Sequence, residues 1–161
     1  CTVSFDPNTR PDLWPEESVL VETLDRAIGL ADVVKTDQED LAVLIEEPDE
    51  DALAEAVLER GPHTVMLTRG GEGAMARASE AAPWGPATME FEGYDVNVVE
   101  TTGAGDAFVA GSIAGFTGEC DLLSETVQYA SGVGALATTE TGAMDGLPTA
   151  SEVTKLFEDG S

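Results

Sequence analysis

Thr101-Thr102-Gly103-Ala104-Gly105-Asp106 has the residue types and spacing to work on an anion. Glycine takes backbone angles closed to other residues, so a turn built on Gly103 and Gly105 can aim successive N–H groups at one point. The small residues that follow predict a helix. Its first amides lack internal partners, and its dipole adds partial positive charge at the same end. Asp106 falls in that first turn. A carboxylate facing a bound phosphate repels it, but the placement makes sense if it takes a proton from a hydroxyl that attacks that phosphate. On the residues alone, Asp106 also reads as a first-turn acid complementing the dipole. The stretch is not a P-loop, because no Gly-Lys-Ser/Thr closes it and no lysine lies near it. Phe108 stands where a dinucleotide fingerprint needs its third glycine.

The elements that must position this turn follow from periodicity. Residues 96–99 read as a strand running into it, 104–116 as the helix leaving it, and 122–138 as a second helix, apolar around Val127, Ala130, Val133 and Leu136. Ala110, Gly111, Ala114 and Gly115 allow close approach of the first helix to a sheet or a neighbouring helix. A loop over 142–148 and a last helix over 150–158 complete this part. Upstream, residues 2–5, 31–34 and 64–68 read as short buried strands. Helices over 16–29, 37–45 and 48–60 lie between them, with Asp37 as an N-cap. Pro7, Pro11 and Pro15 keep the stretch after the first strand irregular. Residues 74–77 and 87–91 are further strands, with a loop around Trp84 between them. The alternation predicts an α/β fold with a parallel sheet and right-handed crossovers. Ligands bind such sheets at the carboxyl ends of strands, where both glycine turns, 70–73 and 103–105, are expected.

Composition narrows the partners. The chain has 161 residues, enough for one domain with a real core, and 42% of them are hydrophobic. Asp and Glu number 32 against 7 Lys and Arg, a formal charge of −25. Such a surface repels nucleic acid and anionic membranes. The acids are spread along the whole chain rather than gathered in a tail, so the charge reads as an adaptation to high salt. Cys1 and Cys120 make no disulfide framework, and no signal peptide or membrane-length apolar run is present, which predicts a cytoplasmic protein. The chain opens at Cys1 inside an expected strand, as a fragment of a longer protein would. His63, the only histidine, reads as structural, and Trp14 and Trp84 as packing residues.

Thr-Thr-Gly-Ala-Gly-Asp-Ala-Phe followed by Gly111 resembles the C-terminal signature of the ribokinase-like carbohydrate kinases, the phosphofructokinase B type. Other pieces resemble the same family in the expected order, over nearly the whole chain but only the C-terminal half of such an enzyme. The resemblance implies a three-layer α/β/α fold with a mostly parallel central sheet, here without the N-terminal part and the β lid. It implies ATP-dependent phosphorylation of a small sugar hydroxyl, with Mg²⁺. Asp106 would be the catalytic base, and the amides of Gly103, Ala104 and Gly105 the anion hole. Thr68-Arg69-Gly70-Gly71-Glu72-Gly73 resembles the nucleotide turn, giving Thr68, Gly70, Gly71 and Gly73, with Gly103 and Gly105, as nucleotide-binding residues. The segment Phe5-Asp6-Pro7-Asn8-Thr9-Arg10-Pro11, with Leu13-Trp14, resembles fructokinases and ketodeoxygluconate kinases and places Arg10 at the sugar or phosphate. Asp37 and Asp40 occupy the positions of the family's Asn-x-x-Glu element, which is tied to Mg²⁺ through water. Glu100 stands where the family most often has Asp, at a monovalent-cation site in some members, so K⁺ dependence stays open. Fructose is the first acceptor and ketodeoxygluconate the second. A nucleoside or hydroxymethylpyrimidine acceptor, and a non-catalytic acidic nucleotide-binding or interaction module, are the rival readings. The fragment alone is expected to catalyse little, and a homodimer of the whole protein stays open.

Overall fold

The computed structural model describes residues 1–47, 49–120 and 122–159. The chain divides into two compact units, one of Cys1–Thr68 and Met75–Met89, the other of Arg69–Ala74 and Glu90–Ser161. A five-stranded sheet runs in the order β1 (Ser4–Phe5), β2 (Val33–Thr36), β3 (Thr64–Thr68), β4 (Ala74–Ala78), β5 (Ala87–Phe91). β1 pairs with β2, and β2 with β3, in parallel. The connections from β3 to β4 and from β4 to β5 are too short for a parallel crossover, so the sheet is mixed.

In the first unit, α1 (Glu17–Ile28) and α3 (Glu50–Leu58) are the crossover helices. Leu20, Leu24 and Ile28 recur at helical spacing and are buried, and Gly29 ends α1 as the glycine stop predicts. Ile28, Val34, Leu41, Leu53, Val57, Val65, Leu67 and Met75 share one core cluster. The Asp49 side chain accepts the Ala52 amide at 3.0 Å and so caps α3, while Pro48, the expected start of that helix, lies outside the described residues. Asp37 caps α2 (Gln38–Leu41), a single turn rather than a helix reaching Ile45. The second strand is 33–36 instead of 31–34, which brings Lys35 into the sheet. Its ammonium is buried and survives there by pairing with Asp6 at 3.2 Å. The first strand is shorter than expected and not buried, because as an edge strand it pairs on one side only. The prolines give a 3₁₀ turn at Pro11–Leu13. His63 accepts or donates one hydrogen bond at 2.9 Å with Thr64 Oγ1 and meets Trp84 edge-on at 5.5 Å, a packing role.

The second unit is helical: α4 (Ala104–Ala114), α5 (Leu123–Ala137) and α6 (Ala150–Asp159). The close approach allowed by small residues is made to α5. A Cβ on Gly111 would lie 2.8 Å from Ala130 Cα. Helix α4 ends two residues early, in a π turn over Gly115–Glu119. Val153, Val133, Ala107 and Ala137 form the core, bordered by Tyr129 and Phe157. Tyr94 stacks on Phe157 at 5.9 Å and meets Phe91 at 5.2 Å, fastening the segment after β5 to α6. Residues 96–99 are not a strand. The Val99 amide donates to the Thr138 carbonyl at 2.8 Å instead of a ladder, and Val98 and Val99 are more than half exposed. Among the described residues, no helix is long and apolar enough to cross a membrane.

Candidate active site

Gly103 sits at the N-cap of α4 with φ +84° and ψ −2°, the left-handed conformation that the glycine was expected to supply. The turn is tight. The Ala104 amide donates to the Thr101 carbonyl at 3.1 Å, and the Ala107 amide to the Gly103 carbonyl at 2.8 Å. One of the three amides assigned to the anion hole, that of Ala104, is therefore spent on the turn. The amides of Gly105 and Asp106 have no backbone carbonyl partner among the described residues, and both belong to the first helical turn. These are the donors, reinforced by the dipole of an 11-residue helix, that an anion would meet. Asp106 is exposed in the same turn, free to reach a hydroxyl.

The turn is buttressed from the far end of α5. The Glu100 amide donates to the Thr138 carbonyl at 3.1 Å, and Glu100 Oε2 accepts the Gly142 amide at 3.0 Å. Hydrogen bonds from the Thr102 side chain and then from the Gly142 amide hold the Glu100 carboxyl below its ordinary range. Its residue type marked it as a departure from the family pattern, but its partner lies 42 residues on and no local pattern pointed there.

The second glycine turn has the shape its residues predict. Gly70–Glu72 is one 3₁₀ turn, and the Arg69 amide donates to the Gly73 carbonyl at 2.8 Å. Gly73 has φ +101°, and a Cβ there would collide with the Phe91 carbonyl oxygen and lie 2.6 Å from the Gly93 amide nitrogen. A Cβ on Gly93 would collide in turn with the Gly71 carbonyl oxygen. The 91–93 segment, held by the Tyr94 stack, therefore lies directly on this turn. Gly70 and Gly71 are exposed, and a Cβ on either would meet nothing within 4 Å. At the end of β3, the Thr68 hydroxyl donates to the Thr36 carbonyl at 3.3 Å and keeps its lone pairs free to accept.

In the first unit, the Asp37 and Asp40 positions come together with the Arg10 segment. Asp37 Oδ1 accepts the Asp40 amide at 2.8 Å, and Asp40 Oδ1 accepts the Thr9 amide at 2.6 Å. Burial, then the charge on Asp37, raises the Asp40 carboxyl above its ordinary value. Asp6 and Lys35 act on it with opposite signs. A hydrated cation beside the pair would offset the cost of burying the Asp40 charge next to Asp37, with the oxygens not used in capping accepting from its water shell. Among the described residues there is no group of three or more His, Cys, Asp or Glu able to hold a metal ion directly. Arg10, next to Thr9, is exposed and makes no ion pair among the described residues.

Comparison with known proteins places these features in context. The model of the pfkB family carbohydrate kinases matches residues 1–150. A fructokinase from Salmonella typhimurium is 39% identical over 161 residues, covering 96% of this chain and 50% of its own. A 2-dehydro-3-deoxygluconokinase from Bacillus subtilis is 37% identical, covering 92% of this chain and 44% of its own. A fructokinase double mutant from Vibrio cholerae, solved with fructose, ADP and a potassium ion bound, superposes with a TM-score of 0.84 at 34% identity, covering 96% of this chain and 50% of that one. The fold is thus ribokinase-like, and the chain spans about half the length of these proteins.

Proposed function

This chain belongs to the pfkB family of carbohydrate kinases, and on that premise we propose that the protein transfers the γ-phosphoryl group of ATP to a hydroxyl of a small sugar, fructose first. The observation that carries the reading is the left-handed Gly103 turn opening α4, with an exposed Asp106 in its first helical turn. In the transfer, the Asp106 carboxylate takes the proton of the sugar hydroxyl as its oxygen forms a bond to the γ-phosphorus. The bond from that phosphorus to the bridging oxygen breaks, and ADP leaves. The amides of Gly105 and Asp106, with Gly103 shaping the turn, meet the charge that builds on the transferred group. Thr68, Gly70, Gly71 and Gly73 line the nucleotide phosphates, and Arg10 offers a fork of donors to the sugar or phosphate. Mg²⁺ supplies charge neutralisation on the phosphates when bound, and Asp37 and Asp40 are the residues that would hold its water shell. The reading extends to a cytoplasmic protein.

The 37% identity to a 2-dehydro-3-deoxygluconokinase supports that sugar acid as the second acceptor. The test is phosphoryl transfer from Mg-ATP by the intact protein in molar KCl, with fructose, 2-dehydro-3-deoxygluconate and ribose side by side. Transfer to one acceptor, reduced by about 10²–10⁴-fold in Asp106→Asn with ATP affinity kept, is the expected result. Unimpaired turnover in Asp106→Asn would remove the mechanism. ATP binding with no transfer to any acceptor would favour a non-catalytic nucleotide-binding module.

A further inference from the structure

Glu100 connects two segments that both touch the anion turn. Its backbone is anchored to the end of α5 by the Thr138 carbonyl, which accepts the Val99 and Glu100 amides at 2.8 and 3.1 Å. Its side chain then reaches in two directions. Oε2 accepts the Gly142 amide at 3.0 Å, and the carboxylate also takes a hydrogen bond from the Thr102 side chain. Directly after Gly142, Ala143 lies on Gly103. A Cβ placed on Gly103 would stand 2.8 Å from the Ala143 Cβ and 3.1 Å from its Cα. Glu100, Thr102, Gly103, Ala143 and Gly142 thus close a ring of contacts around the start of α4. Thr101 and Thr102 are exposed and Ala143 is exposed, so burial alone does not hold this ring together. The carboxylate is its fastener.

We propose that Glu100 is a positioning residue for phosphoryl transfer: by tying Gly142 to Thr102 it seats Ala143 on Gly103 and fixes where the amides of Gly105 and Asp106 point. The inference rests on the kinase reading above. It makes a particular demand on the side chain, which is reach and hydrogen bonding rather than charge. A glutamine has the same length. Its amide oxygen accepts from Gly142, while its neighbouring NH₂ can donate to the Thr102 hydroxyl oxygen. An aspartate keeps the charge but is one methylene too short to span both partners. A residue whose business is to bind a cation would show the opposite preference, because it needs the carboxylate.

The test uses the intact protein with Glu100→Gln, Glu100→Asp and Glu100→Ala, measured for amide hydrogen exchange and for kcat and KM. In Glu100→Ala and Glu100→Asp, exchange should rise about ten-fold at the hydrogen-bonded amides of Gly142, Ala104 and Ala107, and kcat should fall about ten-fold or more with the sugar KM changed less than about two-fold. Glu100→Gln should stay within about three-fold of the parent in both readouts. A role in bulk stability alone would raise exchange across the second unit and leave kcat at low temperature untouched, which overturns the proposal. So would an inactive Glu100→Gln beside an active Glu100→Asp. If the parent protein phosphorylates no acceptor, the kinase reading fails. The exchange pattern of the three variants then still decides whether Glu100 is the fastener.

Discussion

Gly103→Ala should cost far more than the same change at Gly85, although both glycines hold similar backbone angles. Their φ values are +84° and +75°. At Gly85 a new methyl meets nothing within 4 Å, whereas at Gly103 it would lie 2.8 Å from the Ala143 Cβ. The conformational cost is shared: an L-residue in the left-handed region loses about 1–2 kcal/mol, partly offset by about 0.4–1 kcal/mol from a stiffer unfolded chain. Gly85→Ala should therefore lose about 1 kcal/mol. At Gly103 two methyl carbons that prefer about 3.5–4 Å are forced together, so the Ala143 loop must retreat by about 1 Å. Forced shifts of that kind cost about 1–3 kcal/mol, which brings the total at Gly103 to about 2–4 kcal/mol. For a protein of this size, about 1 kcal/mol moves Tm by about 2–4 °C. Urea unfolding at fixed high salt, with Tm as a second readout, separates the two variants. Adding Ala143→Gly to Gly103→Ala removes the colliding methyl, leaving the Cα at 3.1 Å and the carbonyl oxygen at 3.3 Å, and should recover about half of the extra loss. Equal losses at Gly103 and Gly85, or no recovery in the double variant, would refute the argument that Ala143 is seated on the turn.

Three further outcomes are expected. A net charge of −25 repels itself, and screening shortens from about 10 Å at 0.1 M salt to about 3 Å at 1 M, so Tm should climb by at least about 5 °C between 0.1 M and molar KCl; a flat response would sink the high-salt reading. Asp40→Asn should stabilise the protein at pH 7, because the raised carboxyl makes the folded state hold its proton to higher pH than the unfolded chain does. The favourable contribution is present below the unfolded carboxyl value and is lost as pH rises through the folded one, so the advantage of Asn, which still accepts the Thr9 amide, should fade towards about pH 3. Millimolar Mg²⁺ should raise Tm in the parent more than in Asp40→Asn, measured by thermal melts. Destabilisation of Asp40→Asn at pH 7 would show that the hydrogen bond from Thr9 outweighs the cost of burying the charge and its repulsion by Asp37.

The features that could be read in advance are those decided within a few residues. Asp37 and Asp49 cap helices because a short acidic side chain folds back on an amide three positions later. Gly103 and Gly73 take positive φ because only glycine does so cheaply. The strand assigned to residues 96–99 failed for the opposite reason. Three valines state a preference for extended backbone, but a strand also needs a neighbour, and the Val99 amide finds the Thr138 carbonyl instead. The shift of the second strand to 33–36 has the same origin. Lys35 reads as a strand end until Asp6, 29 residues earlier, supplies the charge that lets it be buried.

The same division runs through the site itself. The glycines and the acid of the anion turn state what chemistry is available, and they do so in six consecutive residues. Which amides remain for an anion depends on the Thr101 carbonyl taking the amide of Ala104. Where they point depends on Ala143 and on a carboxylate whose partner is 42 residues away. A motif can therefore persist intact while the groups that aim it change. Glu100 is of this kind: its side chain lies outside the six-residue stretch and hydrogen-bonds the Gly142 amide and the Thr102 side chain. Variation in rate among chains with an identical Thr-Thr-Gly-Ala-Gly-Asp stretch is then expected to track residues 100 and 142–143 rather than the stretch itself.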